Sequence, residues 1–210
     1  LNSMAHELRT PLARLSFALE LAKQNPSSVN EKLGLMENDL FELDMLVSEL
    51  LEFNRIRNSE PEKERVSLID VCSEAADAER VHNPSVEISV NSLGSRSFVE
   101  GDHRLLLRGV SNLVRNAVNH ACSSVKVTIS LQGNHAVVAV EDDGEGFPPG
   151  FLEKAARPFV KGEKSHGSGL GLSIVSRIAE KHGGSLVLAN GTEGARTELR
   201  IPLEGKRRRD

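Results

Sequence analysis

The segment His6-Glu7-Leu8-Arg9-Thr10-Pro11-Leu12 gathers an imidazole, a carboxylate, a guanidinium and a hydroxyl within two turns of an apolar-striped helix. Helical spacing sets His6, Arg9 and Thr10 on one face, with Glu7 about 100° around the axis. Pro11 has no N–H for the carbonyl of Glu7, which predicts a bend just after the histidine. The Leu8, Leu12, Leu15 stripe leaves His6 at its flank, where exposure is expected. An imidazole with an ordinary pKa of about 6.5 is mostly neutral at pH 7 and can act as a nucleophile without a dedicated base. A solvated histidine beside a kink fits the same residues, and this helix alone leaves both readings open.

Three further clusters carry possible chemistry. Asn112, Asn116 and His120 stand at i, i+4 and i+8, one helical face whose amide oxygens suit a Mg²⁺ shell made mostly of phosphate oxygens and water. Surface asparagines would look the same. Asp142-Asp143-Gly144-Glu145-Gly146 closes the apolar run Val137–Val140. Asp142 there can accept a hydrogen bond from an exocyclic amine such as that of adenine, or the segment is an acidic turn. Gly167-Ser168-Gly169-Leu170-Gly171-Leu172 runs straight into a helix, whose N-terminal N–H groups suit phosphate. Its spacing is neither a dinucleotide fingerprint nor a Walker loop. Between these loops lies a Gly- and Pro-bearing stretch with Lys154, Lys161 and Lys164, the composition of a lid.

The elements that must position these groups follow from periodicity. Leu8, Leu12, Leu15, Leu19 and Ala22 predict one amphipathic helix, stopped by Asn25-Pro26-Ser27-Ser28. Leu33, Met36, Leu40, Leu43, Val47 and Leu50 predict a second with an a/d seam. Leu35, Leu46, Leu51, Phe53 and Ile56 widen that stripe beyond what one partner helix covers, so a four-helix bundle in a homodimer is expected. The alternative is a hairpin packed on the rest of its own chain. Residues 58–65 read as a polar, proline-bearing linker. From Val66 onward helices are expected near 69–81, 104–120 and 170–181. Strands are expected near 86–90, 96–99, 125–131, 136–141, 185–189 and 195–201, with Gly133-Asn134 as a hairpin turn. This is an α+β multidomain chain: a helical hairpin (1–57), the linker (58–65), an α/β sandwich (66–203) and a basic tail (204–210).

Composition excludes several classes. The 210 residues include two cysteines, no Trp and no Tyr, with a net charge of −4. Cys72 and Cys122 suggest neither a disulfide framework nor a metal clip. The acidic balance and 3% aromatic content speak against a base-stacking nucleic-acid surface. No apolar run reaches the roughly 18 residues that cross a bilayer. The cluster Lys206 to Arg209 reads as a solvated tail.

Taken in order, the histidine segment, the asparagine pair, the Asp-Asp-Gly-Glu-Gly loop and the alternating glycines resemble the catalytic core of bacterial two-component sensor histidine kinases over essentially the whole chain. The resemblance implies a dimerisation and phosphotransfer hairpin followed by an ATP-binding domain of the gyrase B and Hsp90 type. It implies that His6 takes the γ-phosphate of ATP while Glu7 polarises the imidazole, and that Thr10 orients water for dephosphorylation of a regulator. Asn116 is then the Mg²⁺ ligand with Asn112 beside it, Asp142 reads adenine, and Gly144 and Gly146 shape its loop. Gly167, Gly169, Leu170 and Gly171 form the phosphate cradle, and Arg157-Pro158-Phe159-Val160-Lys161 matches the family's phenylalanine box, Phe159 anchoring the lid and Lys161 near phosphate. Two positions depart from the pattern: His120 replaces a common tyrosine, so stacking on adenine would be by imidazole. Asn119 replaces a common Lys or Arg, removing a phosphate contact. The implied partners are a second copy of the chain and the receiver domain of a response regulator, with no nucleic acid. This part is expected in the cytoplasm, its parent in the bacterial inner membrane, with membrane contact only through segments outside this chain. A second hypothesis is a docking module without kinase activity, whose hairpin binds a regulator while nucleotide sets its conformation.

Overall fold

The computed structural model describes residues 2–24, 29–94, 98–162 and 168–203, apart from the side chains of residues 2–7 and 31. The side chains of His6 and Glu7, all of Gly167, and the basic tail therefore lie outside the described residues. Two helices open the chain, α1 (Asn2–Gln24) and α2 (Val29–Asn58). They form an antiparallel hairpin, fixed in register by Arg14, which pairs with Asp39 at 2.7 Å and also with Glu42.

The seam between α1 and α2 differs from the expected one. Pro11, Ala18, Asp39 and Leu46 are buried, whereas Leu12, Leu19, Leu33, Leu40 and Val47 are exposed. The exposed set repeats every seven residues and forms a second apolar face pointing away from the hairpin's own interface. Helix α1 continues through Pro11. Its buried ring belongs to the seam, which compensates for the one backbone bond that it cannot make.

A two-layer α/β sandwich follows. Strands β1 (Glu64–Ser67) and β3 (Phe98–Gly101) pair antiparallel as a small separate ribbon. The main sheet contains β2 (Glu87–Ser92), β4 (Ser124–Gln132), β5 (His135–Asp142), β6 (Ser185–Asn190) and β7 (Ala195–Pro202), in the order β2-β4-β5-β7-β6. Only β2 and β4 run parallel in it; β4 and β5 are joined through Gly133-Asn134, with Gly133 in the left-handed region that this turn demands. One face carries α3 (Leu68–His82), α4 (His103–His120) and α5 (Gly171–Lys181). Ala136, Val138 and Val140 of β5 face these helices in one core with Leu106, Val110, Leu113, Ile174 and Ile178. On the other face, Arg196 bridges Glu141 and Glu198, and Arg200 reinforces Glu198, covering the sheet with paired charges. Burial pushes the Glu198 carboxyl up, but the two guanidiniums outweigh it and hold it below its ordinary value.

Strand β1 begins inside the stretch expected to be a linker, and that stretch is docked. The Glu62 N–H donates to Asp102 at 3.2 Å and the Lys181 ammonium donates to the Ser59 carbonyl. The end of α2 is also anchored: Ile56 is buried in the sandwich core with Phe53 against it, and Glu52 pairs with Arg108 of α4.

Candidate active site

Helix α4 sets the first wall. Asp102 caps its N-terminus by accepting from the Leu105 N–H at 3.2 Å, and Leu106, Val110, Leu113 and Ala117 bury one face. The flank of that stripe presents Asn112, Asn116, Asn119 and His120 to a cavity of about 360 Å³, a volume in the range of small-molecule sites. Asn112 is buried, and its Nδ2 has no hydrogen-bond partner among the described residues. A buried amide left unpaired is costly, which fits a group kept for a ligand.

The second wall begins where β5 ends. Asp142 is buried, and its Oδ1 accepts from the Gly144 N–H at 3.0 Å and the Ala195 N–H at 3.2 Å. These bonds fix the carboxylate at the cavity edge in a single orientation. Gly144 is required by close approach: a Cβ there would stand 2.1 Å from the His120 carbonyl oxygen, so the loop seats directly on the end of α4. Asp143 secures the same junction, accepting from the Ser123 hydroxyl and from the backbone N–H groups of Cys122, Ser123 and Ser124. Led by the bonds from Ser123, this holds its carboxyl well below the usual carboxylate range. Its role is that of a clamp between two loops.

The third wall is the start of α5. Leu170 is fully buried and Ile174, Val175 and Ile178 pin the helix to the core, so Gly171 opens the helix at the cavity rim. Nothing lies within 4 Å of the Cβ that Gly171 lacks, which leaves its side open to a ligand at a helix N-terminus. Gly169 adopts φ +74°, and a Cβ there would meet the Phe159 backbone at 2.9 Å. Phe159 itself holds φ +63°, uncommon for a side chain of its size, and donates its N–H to the Gly169 carbonyl at 3.0 Å. This crossing brings the segment before residue 163 against the segment after 167.

Asn112, Asn116, His120, Asp142, Gly146, Lys161, Gly169 and Gly171 thus meet in one cavity wall. Gly144, Phe159 and Leu170 stand behind it and shape it. Thr10 is exposed on α1, one turn after position 6. Lining residues that sequence reasoning did not single out include Phe147, Phe151 and Glu49. The two phenylalanines stack with centroids 5.8 Å apart and give the cavity an apolar side. Glu49 comes from α2, so the hairpin itself closes part of the site. Extending the Arg14–Asp39 and Arg14–Glu42 register toward the N-terminus sets position 6 level with about positions 47–50, the stretch that holds Glu49.

A helix-backed mixed sheet that offers asparagines, a loop aspartate and a glycine-opened helix to one cavity defines an ATP-binding domain. Residues 101–205 match the family of histidine kinase-, DNA gyrase B- and HSP90-like ATPases, and residues 1–59 match the His Kinase A phospho-acceptor domain. The chain belongs to the bacterial two-component sensor histidine kinases, of which it carries the catalytic core. It is 33% identical to the sensor protein RstB of Escherichia coli over 97% of its own length and 48% of that protein's. Among solved structures, the Acinetobacter baumannii histidine kinase AdeS superposes with a TM-score of 0.74 at 20% identity, over 95% of this chain and 98% of that one, a likeness of fold. Full-length ShkA, solved in complex with AMPPNP, gives a TM-score of 0.68 at 25% identity over 96% of this chain and 45% of that one. The chain therefore spans about half the length of RstB. Among the described residues, no helix is long and apolar enough to cross a membrane.

Proposed function

We propose that this chain transfers the γ-phosphoryl group of ATP to His6 and passes it on to an aspartate of a response-regulator receiver domain. The observation that carries this reading is the single cavity lined by Asn116, Asp142, Lys161 and Gly171, closed by α2 at the level of position 6. Asp142 holds the adenine amine, the N–H groups at the start of α5 hold the phosphates, and Lys161 neutralises charge beside them. Asn116, with Asn112 beside it, would hold Mg²⁺, which when bound screens the polyphosphate charge; the unpaired amide of Asn112 and the open side of Gly171 fit that load. One imidazole nitrogen of His6 attacks the γ-phosphorus, the bond to the β-bridging oxygen breaks, and ADP leaves. Glu7 polarises the imidazole, whose other nitrogen releases its proton to solvent as the phosphohistidine forms. Such a transfer needs little beyond alignment and charge neutralisation, which this set of groups supplies. That ShkA was solved in complex with AMPPNP supports nucleotide binding by this chain.

The exposed heptad face of Leu12, Leu19, Leu33, Leu40 and Val47 supports a homodimer with a four-helix bundle. Thr10, a turn from His6, is placed to orient water during dephosphorylation of the regulator. The parent protein is a membrane-anchored sensor with this part on the cytoplasmic side. Calorimetric titration with ATP and Mg²⁺ tests the site: Asn116→Ala is expected to weaken binding at least tenfold relative to the unmodified chain. Unchanged affinity would remove Asn116 from the metal site.

A further inference from the structure

Among the described residues, Glu49 is the acidic residue that the hairpin sends into the cavity. Its Oε2 is buried and has no hydrogen-bond partner among the described residues. It is held there, because three residues on Glu52 pairs with Arg108, and further on Phe53 and Ile56 seat α2 in the sandwich core. The same cavity is lined by Asn112 of α4, whose Nδ2 is also buried and has no hydrogen-bond partner among the described residues. Neither arginine of α4 on this side bonds the carboxylate: Arg108 pairs with Glu52 through Nη2 while its Nε is buried without a hydrogen-bond partner among the described residues, and Arg115 pairs with Glu79 at 3.1 Å. An ionised carboxylate with an unpaired buried oxygen is costly, and a polyphosphate entering beside it raises the cost further. A divalent cation between the two reverses the sign, because carboxylate and phosphate oxygens are then both ligands, directly or through water.

We propose that Glu49 is the hairpin's contribution to the metal–nucleotide site, so that α2 stays docked over Mg–nucleotide and is expelled by nucleotide without metal. The inference rests on the ATP–Mg²⁺ reading of the cavity and assigns a metal-dependent positioning role to a residue outside the ATP-binding domain. It makes the hairpin's seat on the cavity conditional on a complete metal site. A nucleotide lacking its metal separates the two domains instead of holding them together.

The test uses the whole chain with AMPPNP as probe, titrated with Mg²⁺ and with EDTA, comparing the unmodified protein with Glu49→Gln. The chain has no tryptophan, so Phe53→Trp, introduced in both backgrounds, reports the seating of α2 by its emission. The Mg²⁺-induced gain in AMPPNP affinity is expected to be about tenfold smaller in Glu49→Gln, mainly because metal-free AMPPNP binds it better. Metal-free AMPPNP should shift the emission of this tryptophan reporter to the red only where Glu49 is present, and Mg–AMPPNP should not shift it. An equal Mg²⁺ gain in both proteins, with no metal-dependent emission change, would overturn the role of Glu49 while leaving the nucleotide site intact. Failure of the unmodified chain to bind Mg–AMPPNP would overturn the site reading and this inference together.

Discussion

Asp142 shapes a loop with a single oxygen of its carboxylate. One carboxylate oxygen spans the N–H groups of Gly144 and Ala195, while the residue lies at the edge of the cavity. Sequence pattern located this aspartate and the glycines, because close backbone approach restricts residue type. It could not locate His182, whose imidazole ties two elements together far from any motif. His182 Nε2 accepts from the Asp102 N–H at 3.0 Å and Nδ1 donates to the Ile178 carbonyl at 2.7 Å, so only the neutral Nδ1–H tautomer satisfies both. Burial lowers its pKa below the ordinary 6.5; the Ile178 carbonyl and Asp102 oppose this and Lys63 adds to it. The unfolded chain therefore binds this proton more tightly than the native one. The contribution of His182 is complete above pH 6.5 and is lost as pH falls below that value through the native pKa. Thermal melts between pH 7.5 and 5.5 should show the unmodified protein losing stability more steeply than His182→Asn. Parallel profiles would mean that protonation of His182 does not govern that slope.

The helices of the sandwich were legible from the apolar stripe each turns to the core, as in α4 with Leu106, Val110, Leu113 and Ala117, and β5 from its continuous apolar run. Strand β1 was not: of its four residues only Val66 is buried, and Glu64 and Arg65 read as linker. The hairpin was legible as two helices but not in its seam. Small Ala18 and Pro11 mark the close contact, and the larger leucines that dominate the pattern turn outward. Leu40, 56% exposed in the single chain, lies in the middle of that outward face. Leu40→Glu together with Val47→Glu puts charge where the bundle interface would bury leucine and valine, so light scattering should report monomer in place of dimer. A dimer that survives both substitutions would place the interface elsewhere.

At the scale of the whole molecule, the hairpin and the ATP-binding domain are joined by more than a tether. Ile56 lies in the sandwich core, Glu52 reaches Arg108, Lys181 holds the Ser59 carbonyl, and Glu49 enters the cavity. None of these contacts has a sequence signature, since each depends on charged or isolated residues meeting across separate elements. Their joint effect is to hold the cavity against α2 at the level of position 6. The proposed outcome of this arrangement is phosphorylation of His6. Incubation of the chain with Mg²⁺ and γ-labelled ATP, comparing the unmodified protein with His6→Ala, decides it. Label that is acid-labile, alkali-stable and absent from His6→Ala is the predicted result. Nucleotide binding without any covalent label would contradict it, and would make the chain a nucleotide-gated docking module instead.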